Sequence, residues 1–316
     1  MLNELNSSIT LLEYYLTWLI KLSSGSLASY ILIMFFMLLV VLELNFPREK
    51  LSITQAQSSY QANIKLFVFN NIVISLLSIP SLLLLASHYA DKGLLSTISN
   101  PIVKAFISFL AMDLMLYCLH KACHHFDCLW MLHKVHHNDP YLNVTTAFRL
   151  HFLEIILITG MKAVLVMVLG IEKTYLLANE LVITFFIMLH HSNIILLAEE
   201  LLGGIIITPY LHRVHHSTLR HEHDRNYGAV LSLWDRLFGT LTELKPKEIG
   251  VKGYVSQDFI DLISCGLTIR DKISPRQTAN LDQMIAEAAY YKAEKRDFYP
   301  GHDLQDWLDA KREIIG

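Results

Sequence analysis

Long apolar stretches along the chain predict several helices that could cross a membrane. A helical span needs about 20 predominantly apolar residues. The stretches that approach or exceed this length with few charged residues are 22–42, 66–90, 101–119, 153–171 and 174–196. Pro80 is predicted to kink the second of them. The last two are separated by only two residues, so we expect them to form a helical hairpin.

Two opposite charges fall inside the predicted hairpin. Lys162 lies about ten residues before the turn and Glu180 about seven after it, at similar depths along the two helices. A lone charge in hydrocarbon is costly, so the two side chains are expected to meet. The alternative is a shallow hairpin in which both charges reach the headgroups.

Basic residues near the span ends predict the orientation, because cytoplasmic loops are enriched in Lys and Arg. Most of them lie between the first two spans or after the third: Arg48, Lys50, Lys65, Lys121, Lys134 and Arg149. Lys92 is the only basic residue in the loop at 91–100. We therefore expect the N-terminus outside and the segments after residue 120 in the cytoplasm. Residues 8–20 are too short to span and are expected along the membrane surface.

Composition agrees with a membrane protein. Of the 316 residues, 53% are hydrophobic and only 17% are charged, whereas soluble domains carry about a quarter charged residues. The net charge of −3 and the lack of a basic stripe argue against nucleic acid as a partner. The four cysteines form no CxxC pair, which fits a reducing or buried setting.

Histidines are concentrated in one part of the chain. Fourteen of the sixteen lie between residues 120 and 223, and ten of these form four clusters with helical spacing. The clusters are HxxxH (His120, His124), HxxHH (His133, His136, His137), HH (His190, His191) and a second HxxHH (His212, His215, His216). In a helix, HxxHH is expected to direct all three rings roughly to one side.

These clusters predict a site for two metal ions. A single histidine on an apolar face is usually a hydrogen-bonded core residue, but about nine buried imidazoles without partners would be very costly. Imidazole is a common nitrogen ligand of first-row metals. Nine ligands exceed the four of a tetrahedral zinc site and suit two metals of higher coordination number. Neither a HExxH motif nor the Glu and ExxH pattern of soluble di-iron bundles is present.

The motifs HKACH, HKVHHNDPYLNVTTAFRLHFLE, LHHSNI and HRVHHS, followed by HDRNYGAVLSLWDRLFGT, resemble the membrane-bound fatty acid hydroxylase and sterol desaturase family, especially its bacterial members. The resemblance covers about residues 28–241. It implies an all-α polytopic membrane protein with four to five transmembrane or hairpin helices and a cytoplasmic histidine-rich cap. The implied metal ligands are His120, His124, His133, His136, His137, His191, His212, His215 and His216, with His190 as the rival of His191.

Further residues are candidates for the edge of this site or for orienting its ligands. They are His190, His151, Asp224, Asn226 and Tyr227, with Asp113, Asp139 and Glu154 equally compatible with ordinary roles. His151 could also serve as a helix cap, and His125 is excluded because it points away from its neighbour His124.

The resemblance implies an O2-dependent non-haem di-iron oxidoreductase that acts on a C–H bond of a membrane lipid. The expected cofactors are two Fe ions, which zinc can replace on purification, with O2 as co-substrate. Electrons are expected from a ferredoxin, a rubredoxin or a cytochrome b5-like protein with its reductase. Hydroxylation and desaturation both remain open, as does the lipid, which could be a sterol, a fatty acyl chain or a related lipid. The expected location is the bacterial inner membrane, with the active site on the cytoplasmic side.

Two other functions are compatible with a histidine-rich membrane protein. The first is a zinc-dependent lipid hydrolase, which metal-dependent hydrolysis in the absence of O2 would reveal. The second is a histidine-lined transporter or metal store. That function would need polar residues through the spans, whereas the histidines lie at and beyond the span ends.

The C-terminal segment predicts a separate small unit. Residues 281–295 have the apolar spacing of an amphipathic helix, and the following PGHDLQDWLDAKREII predicts a second helix. The ending resembles a small bacterial domain of unknown function. The predicted organisation is a membrane-bound enzyme domain at 1–241, a linker with short helices at 242–280, and a helical hairpin at 281–316.

Overall fold

The computed structural model describes residues 24–77, 81–251, 257–267 and 275–315. Within these ranges the chain is helical, and β-structure is limited to three isolated bridges. The chain divides into two compact units, Met1–Ile269 and Arg270–Gly316. The predicted surface segment 8–20 and the predicted kink at Pro80 lie outside the described residues. The predicted domain boundaries at 241 and 281 stay predictions.

Five long helices form the framework of the first unit: α1 (Ser24–Asn45), α2 (Ile53–Leu76), α4 (Pro101–His125), α6 (Phe152–Leu169) and α7 (Lys173–His191). Among the residues that the structure describes, four segments are long and apolar enough to cross a membrane: Ser26–Asn45, Pro101–His125, Phe152–Leu169 and Lys173–His191. They correspond to the first, third, fourth and fifth predicted stretches. The prediction of an all-α chain with about four spans is thus confirmed.

The second predicted span, 66–90 with a kink at Pro80, stays a prediction because residues 78–80 lie outside the described residues. Within the described residues this stretch contains the end of α2 and a separate short helix, α3 (Leu82–Tyr89). The side chain of Ser81 starts α3 by accepting the backbone N–H of Leu83. Helix α2 itself begins far earlier, behind a capping box in which Ser52 and Gln55 bond each other's backbone.

The predicted hairpin is formed by α6 and α7. Helix α6 ends at Gly170, whose positive φ of 67° gives a left-handed C-cap. The turn packs against Gly93 so closely that a Cβ there would lie 2.0 Å from the Gly170 nitrogen. Lys162 and Glu180 meet between the two helices, with Nζ 2.8 Å from both carboxylate oxygens. The predicted ion pair is therefore confirmed.

Shorter helices carry the remaining part of the first unit. These are α5 (Asp127–His137), α8 (Glu199–Leu202), α9 (Pro209–His215), α10 (Arg220–His223), α11 (Leu233–Leu237) and α12 (Phe259–Cys265), with 3-10 turns at Leu94–Thr97 and Val144–Phe148. Helix α5 carries the first HxxHH motif, and α9 carries the second as far as His215, with His216 as its C-cap. Thr208 and Pro209 start α9 as N-cap and first residue.

The second unit is a pair of helices, α13 (Pro275–Glu294) and α14 (Asp303–Ile315). Ile285 and Ala310 are buried within it. Lys292 pairs with Glu313, and Arg296 pairs with Asp306. The predicted C-terminal hairpin of helices is therefore present.

Candidate metal centre

The nine histidines predicted as ligands come together in two adjacent groups, which we call the histidine cage. The five-histidine group contains His120, His124, His133, His137 and His215. The four-histidine group contains His136, His191, His212 and His216. Within each group, one ring nitrogen of every member lies within 4.8 Å of those of all the others. Every ring except that of His120 is buried.

The two HxxHH motifs are not used as the sequence suggests. We expected the three rings of each motif to point roughly to one side. Instead, His133 and His137 of α5 join the five-histidine group while His136 joins the other. In the second motif the outer pair joins the four-histidine group, and only His215 reaches the five-histidine group. Each motif therefore connects both groups.

Hydrogen bonds determine which nitrogen of His120 and of His133 carries the proton. Nδ1 of His120 lies 2.8 Å from the backbone carbonyl of Tyr227, and Nδ1 of His133 lies 2.6 Å from Oε1 of Glu154. Carbonyl and carboxylate oxygens accept hydrogen bonds, so both Nδ1 atoms donate. The two Nε2 atoms then face each other at 3.0 Å with lone pairs only. Two lone pairs at this distance repel each other, and a metal ion bound by both would remove the repulsion.

The same situation recurs in the four-histidine group. Nδ1 of His136 donates to the carbonyl of Arg149 over 3.2 Å, and Nδ1 of His191 donates to the carbonyl of Ile187 over 2.7 Å. Their Nε2 atoms are 3.0 Å apart, and Nε2 of His212 lies 2.9 Å from that of His191. In each group, unprotonated ring nitrogens therefore face one another, as the nitrogens of metal ligands do.

Burial keeps the cage histidines outside the long apolar helices neutral. These residues are His136 and His137 on α5 and His212, His215 and His216 on and after α9. Burial lowers the pKa of each well below its ordinary value, and neighbouring imidazoles lower it further. The neutral ring is the form that binds metal ions.

Residues 224–227 surround the five-histidine group from outside. Oδ1 of Asp224 lies 3.1 Å from Nδ1 of His124, and the carbonyl of Arg225 accepts the Nδ1–H of His215 over 2.8 Å. With the carbonyl of Tyr227 on His120, three acceptors from this short segment orient three rings of the group. Asp224 and Tyr227 thus lie where the sequence suggested, the latter through its backbone rather than its hydroxyl.

Asn226 supports this segment without touching a cage ring. Its side chain donates to the carbonyls of Leu211 and Thr242 over 2.8 Å each and accepts the N–H of Thr242 over 2.7 Å. Its φ of 55° lies in the left-handed region, which asparagine tolerates better than most residues. Asn226 thereby connects the segment to α9.

The other candidate histidines take different positions. His190 is buried, its ring centroid lies 4.0 Å from that of His212, and it belongs to neither group. His151 caps α6 by accepting the N–H of Leu153, also outside both groups. His125 is exposed. His223, which the sequence did not single out, forms a further small cluster with His124 and Asp224.

Two of the three other acidic candidates do not contact the cage. Asp113 accepts the N–H groups of Val230 and Leu231 and the indole N–H of Trp234, at 2.9, 3.2 and 2.8 Å. These contacts hold residues 230–234 against α4. Asp139 accepts hydrogen bonds from hydroxyl and amide groups around α2. Only Glu154, through His133, reaches a cage ring.

An apolar cavity of about 120 Å³ lies directly beside the cage. Its wall includes rings from both groups, among them His120 and His136, together with Glu154. Apolar side chains from α4, α6 and α7 form much of the remaining wall, among them Leu116, Leu119, Ile158 and Ile187. The cavity therefore lies between the cage and helices that could cross a membrane.

A second, larger space of about 460 Å³ lies between α1, α2 and α7. Its wall includes Leu32, Phe36, Ile64, Phe67, Phe148 and Met188. It is bounded by the 3-10 turn Val144–Phe148, whose Ala147 also lines the smaller cavity. The two spaces thus lie on either side of the same turn.

Comparison with known families agrees with this geometry. Residues 105–240 match the family model described as fatty acid hydroxylase. Residues 280–315 match the family described as a protein of unknown function, DUF2934. Both matches confirm the resemblances stated from the sequence motifs. No solved structure matches the chain significantly.

Several curated proteins are similar to part of the chain. An ornithine lipid hydroxylase of Rhizobium tropici is 32% identical over 148 residues, which cover 46% of this chain and 44% of that protein. Alkylglycerol monooxygenases of Danio rerio and Homo sapiens are 31% and 30% identical over 46% and 43% of this chain. The matches cover 32% and 30% of those two proteins. The chain thus spans less than half the length of these relatives.

Proposed function

We propose that this chain, a member of the fatty acid hydroxylase family through its residues 105–240, is an integral membrane oxidoreductase that uses O2 to oxidise a C–H bond of a lipid. The reaction is a hydroxylation or a desaturation. The relatives named as lipid hydroxylase and monooxygenases support this class of reaction. The observation that carries the proposal is the histidine cage, with unprotonated Nε2 atoms facing each other beside an apolar cavity.

The nine cage histidines would hold two metal ions, and we propose that both are iron. Iron bound there would supply the redox chemistry that activates O2, which protein side chains alone cannot provide. Zinc can occupy the same nitrogen-rich site on purification. Whichever ion is bound, the carbonyls of 225 and 227, Asp224 and Glu154 hold the rings in place.

The chain's own residues position the lipid and keep water away. Leucine and isoleucine side chains from α4, α6 and α7 form the wall facing the cage, so an alkyl segment can approach the metals without crossing water. The groove between α1, α2 and α7 offers room for more of the same lipid. A lipid that enters sideways from the bilayer fits both spaces better than a water-soluble substrate.

Electron supply and location follow from the same proposal. Insertion of one oxygen atom with reduction of the other to water requires two electrons, and desaturation with reduction of O2 to two waters also requires two. We propose that a ferredoxin, a rubredoxin or a cytochrome b5-like protein with its reductase delivers them. The histidine cage would then face the cytoplasm at the bacterial inner membrane, in agreement with the basic residues near the span ends.

The test uses full-length protein in nanodiscs, loaded with iron and supplied with a bacterial polar-lipid extract, a reducing system and 18O2. Mass spectrometry should find either lipids that gained one 18O atom or lipids that lost two hydrogens. His136→Ala should abolish the product, and His125→Ala, which changes an exposed histidine outside both groups, should retain it. Lipid hydrolysis that needs metal but no O2 would instead favour the zinc-dependent hydrolase.

A further inference from the structure

Two short segments expose apolar side chains although neither is part of the four helices that could cross a membrane. The first, residues 195–205, connects α7 to α9, and the second, residues 233–238, contains α11. Four side chains of the first segment are between 65% and 93% exposed: Ile195, Leu197, Leu201 and Ile205. Three of the second are also exposed: Leu233, Leu237 and Phe238. Exposed apolar side chains that cluster in this way mark a surface that contacts something other than water.

The two segments lie side by side, and we call their exposed surface the apolar patch. The backbone N–H of Ser232 donates to the carbonyl of Ile205 over 3.0 Å. The guanidinium of Arg236 donates to the carbonyl of Gly203 over 3.2 Å. These contacts join the segments at two points, so their exposed side chains belong to one region of the surface.

One side of the apolar patch adjoins the end of α1, a helix that could cross a membrane. Oε1 of Glu43 in α1 accepts the N–H of Asn193 over 2.6 Å, two residues before the first segment begins. Leu44 and Phe46, at and just after the end of α1, are both 72% exposed. The exposed apolar surface of α1 therefore continues into residues 195–205.

The other side of the apolar patch meets α4, which could also cross a membrane. The ring of Phe238 stacks on the ring of Tyr117 in α4, with the centroids 5.4 Å apart and the planes at 18°. Tyr117 precedes the cage residue His120 by three residues, or about 4.5 Å along the helix. The patch thus lies at the depth where two candidate spans end and the cage begins.

We propose that the apolar patch is embedded in the leaflet of the bilayer on the cage side, without crossing it. Surfaces of this kind enter about 5–10 Å into the boundary between headgroups and acyl chains. Glu200 follows the same rule, because it is turned from Leu201 in α8 by about 100° and its carboxylate can stay among the headgroups. Glu199 is paired with Arg48, which lowers the cost of a charge near the apolar layer.

The position of the patch favours lipid over a protein partner as its cover. The patch continues the exposed surfaces of α1 and α4, so a bilayer that surrounds these helices also reaches the patch. The cage is then held at the surface of the leaflet by short segments as well as by the spans. This proposal concerns the placement of the protein in the bilayer and does not depend on the reaction that the cage supports.

Spin labels measure what surrounds the patch without turnover. The exposed cysteines, Cys118 and Cys128, are first replaced by serine, which leaves only two buried ones. A nitroxide is then attached at Leu201→Cys or Leu237→Cys in the zinc-loaded full-length protein in phosphatidylcholine nanodiscs. Power saturation in EPR gives its collision rates with O2, which concentrates in the bilayer, and with chromium oxalate, which stays in water. Both patch labels should collide more often with O2.

Two control positions calibrate the ratio of the two collision rates. Met34→Cys, at a side chain 72% exposed in α1, represents lipid, and His221→Cys, at a side chain 78% exposed in α10, represents water. The patch labels should give a ratio close to that of Met34→Cys. A ratio like that of His221→Cys would overturn the proposal by placing the patch in water. Low collision rates with both reagents would also overturn it, because protein then covers the patch. A label that reduces the bound zinc is moved to Ile205→Cys or Leu233→Cys, which report on the same patch.

Discussion

The ion pair between Lys162 and Glu180 allows a quantitative test of the hairpin. Lys162 lies eight residues before Gly170, and Glu180 lies eight residues after Glu172. Both charges are thus about 12 Å from the turn at ~1.5 Å per residue, and both helices are apolar enough to cross a membrane. Replacing either residue alone with an apolar one, Lys162→Met or Glu180→Leu, leaves the other charge in an apolar layer without its partner.

Two known ranges of energy bound the coupling energy expected between Lys162 and Glu180. An unpaired charge at the centre of a span costs roughly 3 kcal/mol on insertion scales. Polar contacts between membrane helices measured by double-mutant cycles average about 0.6 and reach about 1.7 kcal/mol. Both Nζ–O distances are 2.8 Å, so the contact has the geometry of a strong ion pair. We therefore expect a coupling energy of about 1–2 kcal/mol.

The assay is a double-mutant cycle on the free energy of unfolding in mixed micelles. Each single variant should destabilise the protein more than the double variant does. The matched control is Lys104 with Glu172, a pair with an Nζ–Oε1 distance of 2.7 Å at the turn end of the hairpin. The coupling energy of that pair should be less than about 1 kcal/mol, as it is for surface pairs. Additive effects at Lys162 and Glu180 would refute the reasoning.

Three further predictions concern the cage and its surroundings. His136→Ala should hold fewer metal ions than the wild type, which should bind about two per chain by elemental analysis, whereas His125→Ala should be unchanged. Burial lowers the folded-state pKa of the cage histidines on α5 and α9 below 6.5, so the unfolded chain binds more protons as the pH falls. The metal-free protein should therefore lose stability from pH 7 to 5, by up to about 1.4 kcal/mol per pH unit and histidine; a flat curve would contradict this. Asp113→Asn should lower the free energy of unfolding by about 2–3 kcal/mol, because an amide cannot accept all three N–H groups that the carboxylate accepts.

The sequence predicts the parts of this fold that depend on side-chain chemistry at regular spacing. Histidines three and four residues apart on a helix can serve one site, so the cage histidines stand out without any structure. Hydropathy likewise locates four of the five predicted spans. For 66–90, averaging over a window does not register the cap at Ser81, where a new helix starts.

The outer partners of the cage were largely invisible to sequence reasoning. Four of the groups that orient cage rings are backbone carbonyls, those of Arg149, Ile187, Arg225 and Tyr227. Every residue has a carbonyl, so no residue type marks these positions. Glu154 has a side-chain signal, but its distance of 21 residues from His133 has no meaning until α5 and α6 are packed together.

The two HxxHH motifs divide their rings between the two histidine groups in opposite ways. The first motif gives its outer pair, His133 and His137, to the five-histidine group and His136 to the other. The second gives its outer pair to the four-histidine group and His215 to the first. Residues four apart lie on one face of a helix, while the residue between them is turned aside by about 100°. Each short helix therefore contributes rings to both groups, so the division of the cage into two groups follows in part from rigid helical geometry.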